Sequence, residues 1–321
     1  MTLAPWLDAA WQQLGERRER GMLPHALLIC GPPGLGKRDF AEAFANALLC
    51  EKSSGAQLAC GTCRACLLIA AGSHPDRVKV GLELRDDGKP RTELTVDQIR
   101  HLSQRLALTA QFGGMQVATI DPADAMNQSA SNALLKTLEE PTPATVIMLV
   151  ADQPARLSAT IRSRCQRVDI HVPTATVAAQ WLRDQGVSEK TVDAALQAGS
   201  GNPGLALRWS KDGGLAMRNE VTADLRALFS GKNSPVDVAN RWAKNDPDGR
   251  LWFAAGLLRD EAQASARGAS GPLALTSRRD LTKLARWFDQ TNRARAQLRG
   301  PLRPELVVLD ALSGLNESRS A

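Results

Sequence analysis

A chain of 321 residues, 43% hydrophobic and 23% charged, has room for two or three globular domains with a substantial core. No apolar run approaches the ~18 residues of a membrane-spanning helix, and Trp6, Asp8 and Trp11 give the N-terminus an amphipathic pattern unlike that of a secretory leader. The expectation is a soluble, cytoplasmic protein, with a net charge of +6 that permits a nucleic-acid or acidic partner without demanding one.

In chain order, a first helix is expected from Pro5 to about Glu19, closed by Gly21 and Pro24. The apolar run Ala26-Leu27-Leu28-Ile29-Cys30 then reads as a buried strand. Next comes Gly31-Pro32-Pro33-Gly34-Leu35-Gly36-Lys37-Arg38, followed by a helix whose Phe40, Ala43, Phe44, Ala47 and Leu48 share one face. Strand, glycine-rich turn and helix N-terminus together make a phosphate-binding loop. Its backbone N–H groups can curl around phosphate oxygens, the helix dipole favours the anion, and the lysine reaches the outer phosphates. Gly31, Gly34, Gly36 and Lys37 are the candidate nucleotide-binding residues. The pattern G-x-x-x-x-G-K-[ST] fails only at its last position, where Arg38 replaces the hydroxyl that would hold Mg²⁺.

Four of the six cysteines follow within 17 residues: Cys50, Cys60, Cys63 and Cys66, spaced C-x9-C-x2-C-x2-C. Without export signals, such usage points to metal or thiol chemistry rather than disulfides. Two interlocked C-x-x-C units and a fourth thiolate can surround Zn²⁺ tetrahedrally with no position left for water, a structural site. An iron–sulfur cluster, a redox dithiol and unliganded thiols are the other readings of the same spacing. Cys30 and Cys165 stand apart and read as small buried hydrophobes. His74, in Ser73-His74-Pro75-Asp76, reads as a turn residue rather than a further ligand.

A strand near Val78–Val80, a charged loop at 85–92 and a capping box at Thr95–Gln98 precede a helix with Val96, Ile99, Leu102 and Leu106 inward. The strand at 116–121 ends on Asp121, where a phosphate-loop NTPase keeps its Mg²⁺-organising acid. The following position, which would carry a water-activating glutamate, is Pro122; Asp124 stands three residues beyond Asp121 and is expected to point elsewhere. A helix carries Ala133-Leu134-Leu135-Lys136-Thr137-Leu138-Glu139-Glu140-Pro141. A β-rich run at 145–151 follows it, and Ser163-Arg164-Cys165 leads into a last strand ending near Val172. Strands alternating with helices at this spacing imply a parallel sheet with right-handed crossovers and a ligand edge at the strands' C-terminal ends.

Beyond Pro173 come short helices at 177–185, 188–197 and 203–210. Longer ones follow at 217–229, 235–244, 249–266, 276–297 and 304–312, with Trp242, Trp252, Phe253, Trp287 and Phe288 as expected core. From Leu215 onward there are 17 Lys+Arg against 12 Asp+Glu, a distribution that reads as a solvated basic helical surface.

Taken jointly, the phosphate loop, the four cysteines after its helix, Ser-His-Pro-Asp, Ala-Leu-Leu-Lys-Thr-Leu-Glu-Glu-Pro and Ser-Arg-Cys resemble the bacterial clamp-loader AAA+ subunits, most specifically between residues 24 and 170. The resemblance implies a RecA-like AAA+ α/β domain over 1–172 with an inserted zinc module at about 50–66. A small helical lid over 173–212 and an all-α collar over 213–321 for oligomerisation complete the implied architecture. It also implies membership of a hetero-pentamer with delta and gamma/tau subunits that, as part of the DNA polymerase III holoenzyme, loads a sliding clamp onto primed DNA with ATP.

Within that family the departures favour a subunit that does not hydrolyse ATP. Arg38 stands where motor subunits have Thr or Ser, and Asp121-Pro122 where they have Asp-Glu. The motor's sensor threonine falls near Ala151-Asp152, and Gly204 aligns with its lid arginine. Each loss removes part of the machinery that positions and neutralises the γ-phosphate. Arg164 is kept. One arginine at a strand end is ordinarily a surface residue, but in Ser163-Arg164-Cys165 the resemblance makes it a finger reaching the neighbouring motor's ATP site in trans. The rival readings are an active ATPase motor, a zinc-stabilised DNA-binding protein acting alone, and a loop that still binds nucleotide without metal or turnover.

Overall fold

The computed structural model describes residues 3–85, 88, 91–112, 114–275, 281–298, 300 and 302–314. The chain forms two compact units, Met1–Trp181 with Asn202–Gly204, and Leu182–Gly201 with Leu205–Ala321.

The first unit contains α1 (Asp8–Glu19), β1 (Ala26–Cys30), α2 (Lys37–Leu49), α3 (Arg64–Ala70), β2 (Arg77–Val80), α4 (Val96–Leu106), β3 (Gln116–Ile120), α5 (Gln128–Glu139), β4 (Thr145–Ala151), α6 (Ala159–Arg164) and β5 (Gln166–Asp169). Its five strands are all parallel, in the order β2-β3-β4-β1-β5. This is the expected α/β architecture. Every residue of β1 and β4 is buried, as continuous apolar runs in a sheet covered on both faces must be. Alternation divides them: Ala26, Leu28 and Cys30 join Ile147, Leu149 and Ala151 in one core with Ile99 and Leu134 of α4 and α5. Leu27 and Ile29 join Val146, Met148 and Val150 in a second core, where Phe40 and Phe44 of α2 meet Trp11 of α1.

Local signals account for the boundaries. Thr95 and Gln98 form the expected capping box of α4. α5 starts on Asn127, whose side chain accepts from Ala130 N at 2.9 Å, and ends before Pro141. β5 stops at Asp169 rather than near Val172, although Ile170 N still donates to Cys30 O at 2.7 Å. The short α3 begins inside the cysteine module on Cys63, whose sulfur accepts from Cys66 N.

α7 (Ala175–Asp184) begins in the first unit and α9 (Pro203–Lys211) belongs mainly to the second. The second unit also contains α8 (Glu189–Ala198), α10 (Gly214–Ser230), α11 (Pro235–Ala243), α12 (Pro247–Ala266), α13 (Leu281–Gln297) and α14 (Pro304–Ser313). The expected helix over 276–297 is thus seen from Leu281; 276–280, like part of the 85–92 loop, lie outside the described residues. Trp242, Phe253 and Trp287 are buried in one core with Leu225, Leu257 and Val308. Trp252 is only partly buried, with the Arg295 guanidinium 4.9 Å above its ring, and Phe288 is half-buried. Among the described residues no helix is long and apolar enough to cross a membrane.

Candidate functional site: a phosphate loop, a cysteine module and Arg164

The loop that follows β1 has the backbone its glycines were expected to provide. Gly31, Gly34 and Gly36 have φ of 148°, 84° and 78°, values that side-chain-bearing residues rarely adopt. A Cβ at Gly31 would collide with the carbonyl oxygen of Ile170. Leu35 is buried, and its carbonyl accepts from Trp6 Nε1 at 2.9 Å.

The cations of the loop are already matched. The Lys37 side chain is 1% exposed, and its Nζ lies 2.6 Å from Asp152 Oδ1 and donates to Pro32 O at 2.6 Å. Arg38 Nε is 3.0 Å from Asp121 Oδ2, and Nη2 is 3.2 Å from Asp152 Oδ2. Two cations and two carboxylates therefore close on one another. Burial pushes the Asp121 carboxyl above its ordinary pKa against the pull of Arg38. Burial acts the same way on Asp152, but hydrogen bonds and charge from Lys37 and Arg38 outweigh it and hold that carboxyl below its ordinary pKa. A phosphate entering the loop would have to take Lys37 from Asp152 while lying beside the carboxylate it displaced, so like charges would meet in a partly buried site.

Sequence reading placed Asp152 only near the motor's sensor position and not as the partner of Lys37, and the reason is topological. β1 and β4 are parallel neighbours with Cys30 opposite Ala151, so the residues leaving the two strands, Gly31 and Asp152, emerge side by side. A carboxylate closing a buried apolar strand was the available signal; the strand order needed to use it was not local. The chain also covers the loop from outside. Buried Asn202 donates from Nδ2 to Pro33 O at 2.7 Å, and a Cβ on Gly204 would collide with Gly34 O. Asp124 contacts neither loop cation; its Oδ2 accepts from Gln153 N at 2.8 Å, next to Asp152. Cys30 is buried but not merely apolar, since its thiol donates to Asp169 Oδ1 at 3.0 Å.

At the other end of α2 the four module cysteines come together. Cys50 is its C-cap, and the sulfurs of Cys50, Cys60, Cys63 and Cys66 all lie within 4.8 Å of one another, an arrangement that can hold a metal ion. Backbone N–H groups point at them: Cys60 N at Cys50 Sγ (3.3 Å), Cys63 N at Cys60 Sγ (3.3 Å) and Cys66 N at Cys63 Sγ (3.4 Å). Hydrogen bonds from the Thr62 N–H and hydroxyl, then from Cys63 N, lower the Cys60 thiol to about 6. Burial, with a hydrogen bond to Cys63, raises Cys66 to about 12. His74 stays out of this cluster. It is buried in its turn, with Nδ1 accepting from Asp76 N at 3.2 Å and its ring 5.0 Å from that of Phe112.

Arg164 is the last residue of α6, just before β5. β5 runs parallel to β1 with Gln166 opposite Leu27. Arg164 therefore stands at the N-terminal end of the strands, while the phosphate loop leaves their C-terminal end, roughly four residues or ~13 Å further along β1. Its guanidinium, one-third exposed, meets Glu139 Oε1 at 2.5 Å through Nη2 and donates from Nη1 to Thr160 O at 3.1 Å. The structure thus brings Lys37 together with its loop glycines and gathers the four cysteines, but it leaves Arg164 apart from both groups.

Comparison with known proteins places the chain. A family model described as "DNA polymerase III, delta subunit" matches residues 6–174. DNA polymerase III subunit delta' of Pseudomonas aeruginosa is 40% identical over 240 residues, which span 74% of this chain and 70% of that protein. The Haemophilus influenzae protein of the same name is 34% identical over 237 residues, covering 74% and 70%. That of Escherichia coli is 38% identical over 204 residues, covering 63% and 59%. A sheet carrying a phosphate loop, four convergent cysteines and this degree of identity lead to one conclusion: the chain belongs to the DNA polymerase III delta-prime family.

Proposed function

We propose that this chain is the non-hydrolysing subunit of a bacterial clamp loader. It assembles in the cytoplasm with delta and gamma/tau subunits and helps place a sliding clamp on primed DNA. In this reading, residues 1–172 are the AAA+ domain, 173–212 the lid and 213–321 the collar through which the subunits associate. The family named by its relatives supports the assembly.

The observation that carries the non-hydrolysing role is the closed charge cluster: Lys37 is held by Asp152, and Arg38 by both Asp121 and Asp152. The motif's metal-binding hydroxyl is Arg38 and its water-activating position is Pro122, so neither Mg²⁺ nor attacking water has its protein partner. Titration calorimetry with ATP, with and without EDTA, is expected to detect no binding to the isolated chain. Arg38→Thr combined with Asp152→Thr removes the occupying charges and is expected to admit Mg-ATP weakly. Micromolar binding and steady turnover by the wild type would instead support an active motor.

Arg164 is read as the finger that completes the neighbour's ATP site. Its place at the sheet end opposite its own loop supports an action in trans, and a guanidinium fork suits phosphate oxygens. In complexes reconstituted with delta and gamma/tau, Arg164→Ala is expected to lower DNA- and clamp-stimulated ATP hydrolysis while assembly persists. A finger is worth ~10³-fold or more at the site it serves. Normal hydrolysis removes the assignment.

The four cysteines are assigned to structural zinc. Zn–S bonds of about 2.3 Å in a tetrahedron require sulfurs roughly 3.8 Å apart; Cys50–Cys63 and Cys60–Cys66 are at 3.8 and 4.0 Å. Zinc would replace the thiol protons there, and the N–H···S bonds would steady the thiolates.

A further inference from the structure

We propose that Glu139 is a positioning residue for Arg164, aiming its guanidinium at the neighbour's phosphate; this rests on the trans-finger reading above. The first observation is placement. Glu139 is the last residue of α5, where the carbonyl end of the helix dipole disfavours a carboxylate. A partner cation compensates a charge at that position, and among the described residues Glu139 pairs with Arg164 Nη2, 2.5 Å away.

The second observation is the form of the attachment. Arg164 Nη1 donates to Thr160 O in its own helix at 3.1 Å, while Nη2 is taken by Glu139 from a different helix. Two tethers on two elements define the plane of the guanidinium as well as its location, which a single contact cannot do. They engage two of its five N–H donors and leave three for phosphate oxygens. α5 and α6 are themselves fixed by Leu134, Leu138 and Ile161, all buried in one core, so the aim is set by packed elements rather than by a loop. A side chain as flexible as arginine otherwise loses rotamer freedom when it engages phosphate. Holding it beforehand removes part of that cost and favours reaction geometry.

The test uses the reconstituted complex with Glu139→Ala, Glu139→Gln, Arg164→Ala and the double alanine variant, measuring kcat and KM for ATP, assembly and melting temperature. Glu139→Ala is expected to lower kcat about two- to fivefold, the scale of an exposed ion pair, with KM, assembly and melting unchanged. Glu139→Gln is expected to retain most of the rate, because its amide oxygen still accepts from Nη2. The double variant is expected to match Arg164→Ala, since both act through one group. If Arg164→Ala is impaired but Glu139→Ala is not, or if the two losses multiply, the role of Glu139 is overturned and the finger stands. If Arg164→Ala is itself unimpaired, both fall.

Discussion

The two ends of α2 carry the two motifs most readily seen in the chain, and they differ in one respect. At its C-terminal end, the four cysteine sulfurs lie within 4.8 Å of one another in an arrangement that could hold a metal ion. At its N-terminal end the phosphate loop has the right backbone, yet both of its cations are bound to carboxylates from the ends of β3 and β4. The cysteine cluster could take up an external cation in place of its protons; the loop's demand for an anion is met internally. A motif specifies what a site could bind, and charge balance within the fold decides whether it is still available.

The comparison can be broken most sharply at the cysteines. Cys63→Ser is expected to reduce zinc content and to destabilise the first unit by more than ~4 kcal/mol, the range associated with loss of a structural metal. Unchanged melting and zinc content refute Cys63 as a ligand.

At the loop, Asp152→Ala leaves the Lys37 ammonium buried without its partner. The expected loss is about 2–3 kcal/mol, below the ~3–5 of a fully buried pair, because the Asp152 side chain is 27% exposed. The sign of the pH dependence follows from the lowered pKa of Asp152. Its contribution is complete above the unfolded value, near 3.9, and is lost as pH falls through the folded one. The stability gap between wild type and Asp152→Asn in urea titrations is therefore expected to shrink below about pH 4. A gap that widens there contradicts the pairing.

The smallest effect is expected at the cover of the loop. Gly204→Ala places a methyl in collision with the Gly34 carbonyl oxygen, and the backbone shift this forces should cost about 1–3 kcal/mol, the range of overpacking. A neutral result in thermal melts means that residues 202–204 do not hold the loop as tightly as the collision implies.

Much of this site was legible in the sequence because its signals are local. The glycines of the loop, the apolar runs of β1 and β4, the capping box at Thr95 and the cysteine spacing each specify geometry within a few residues. Boundaries were less legible: β5 ends at Asp169 because its partner β1 ends at Cys30, which no residue near Asp169 announces. The burial of His74 against Phe112 and the bond between Cys30 and Asp169 also required partners distant in sequence.

By itself, the sequence determined the strand–loop–helix, the four-sulfur cluster and the absence of the loop's metal-binding hydroxyl, because backbone conformation and ligand spacing are short-range properties. Only the tertiary structure decided that Asp152 would occupy Lys37, that Asn202 and Gly204 would cover the loop, and that Arg164 would stand with Glu139 at the opposite end of the sheet. Those adjacencies arise from parallel strand order and helix packing, which bring together residues more than a hundred positions apart in some pairs and fewer than thirty in others. The physical reason is that charge and exclusion act through space.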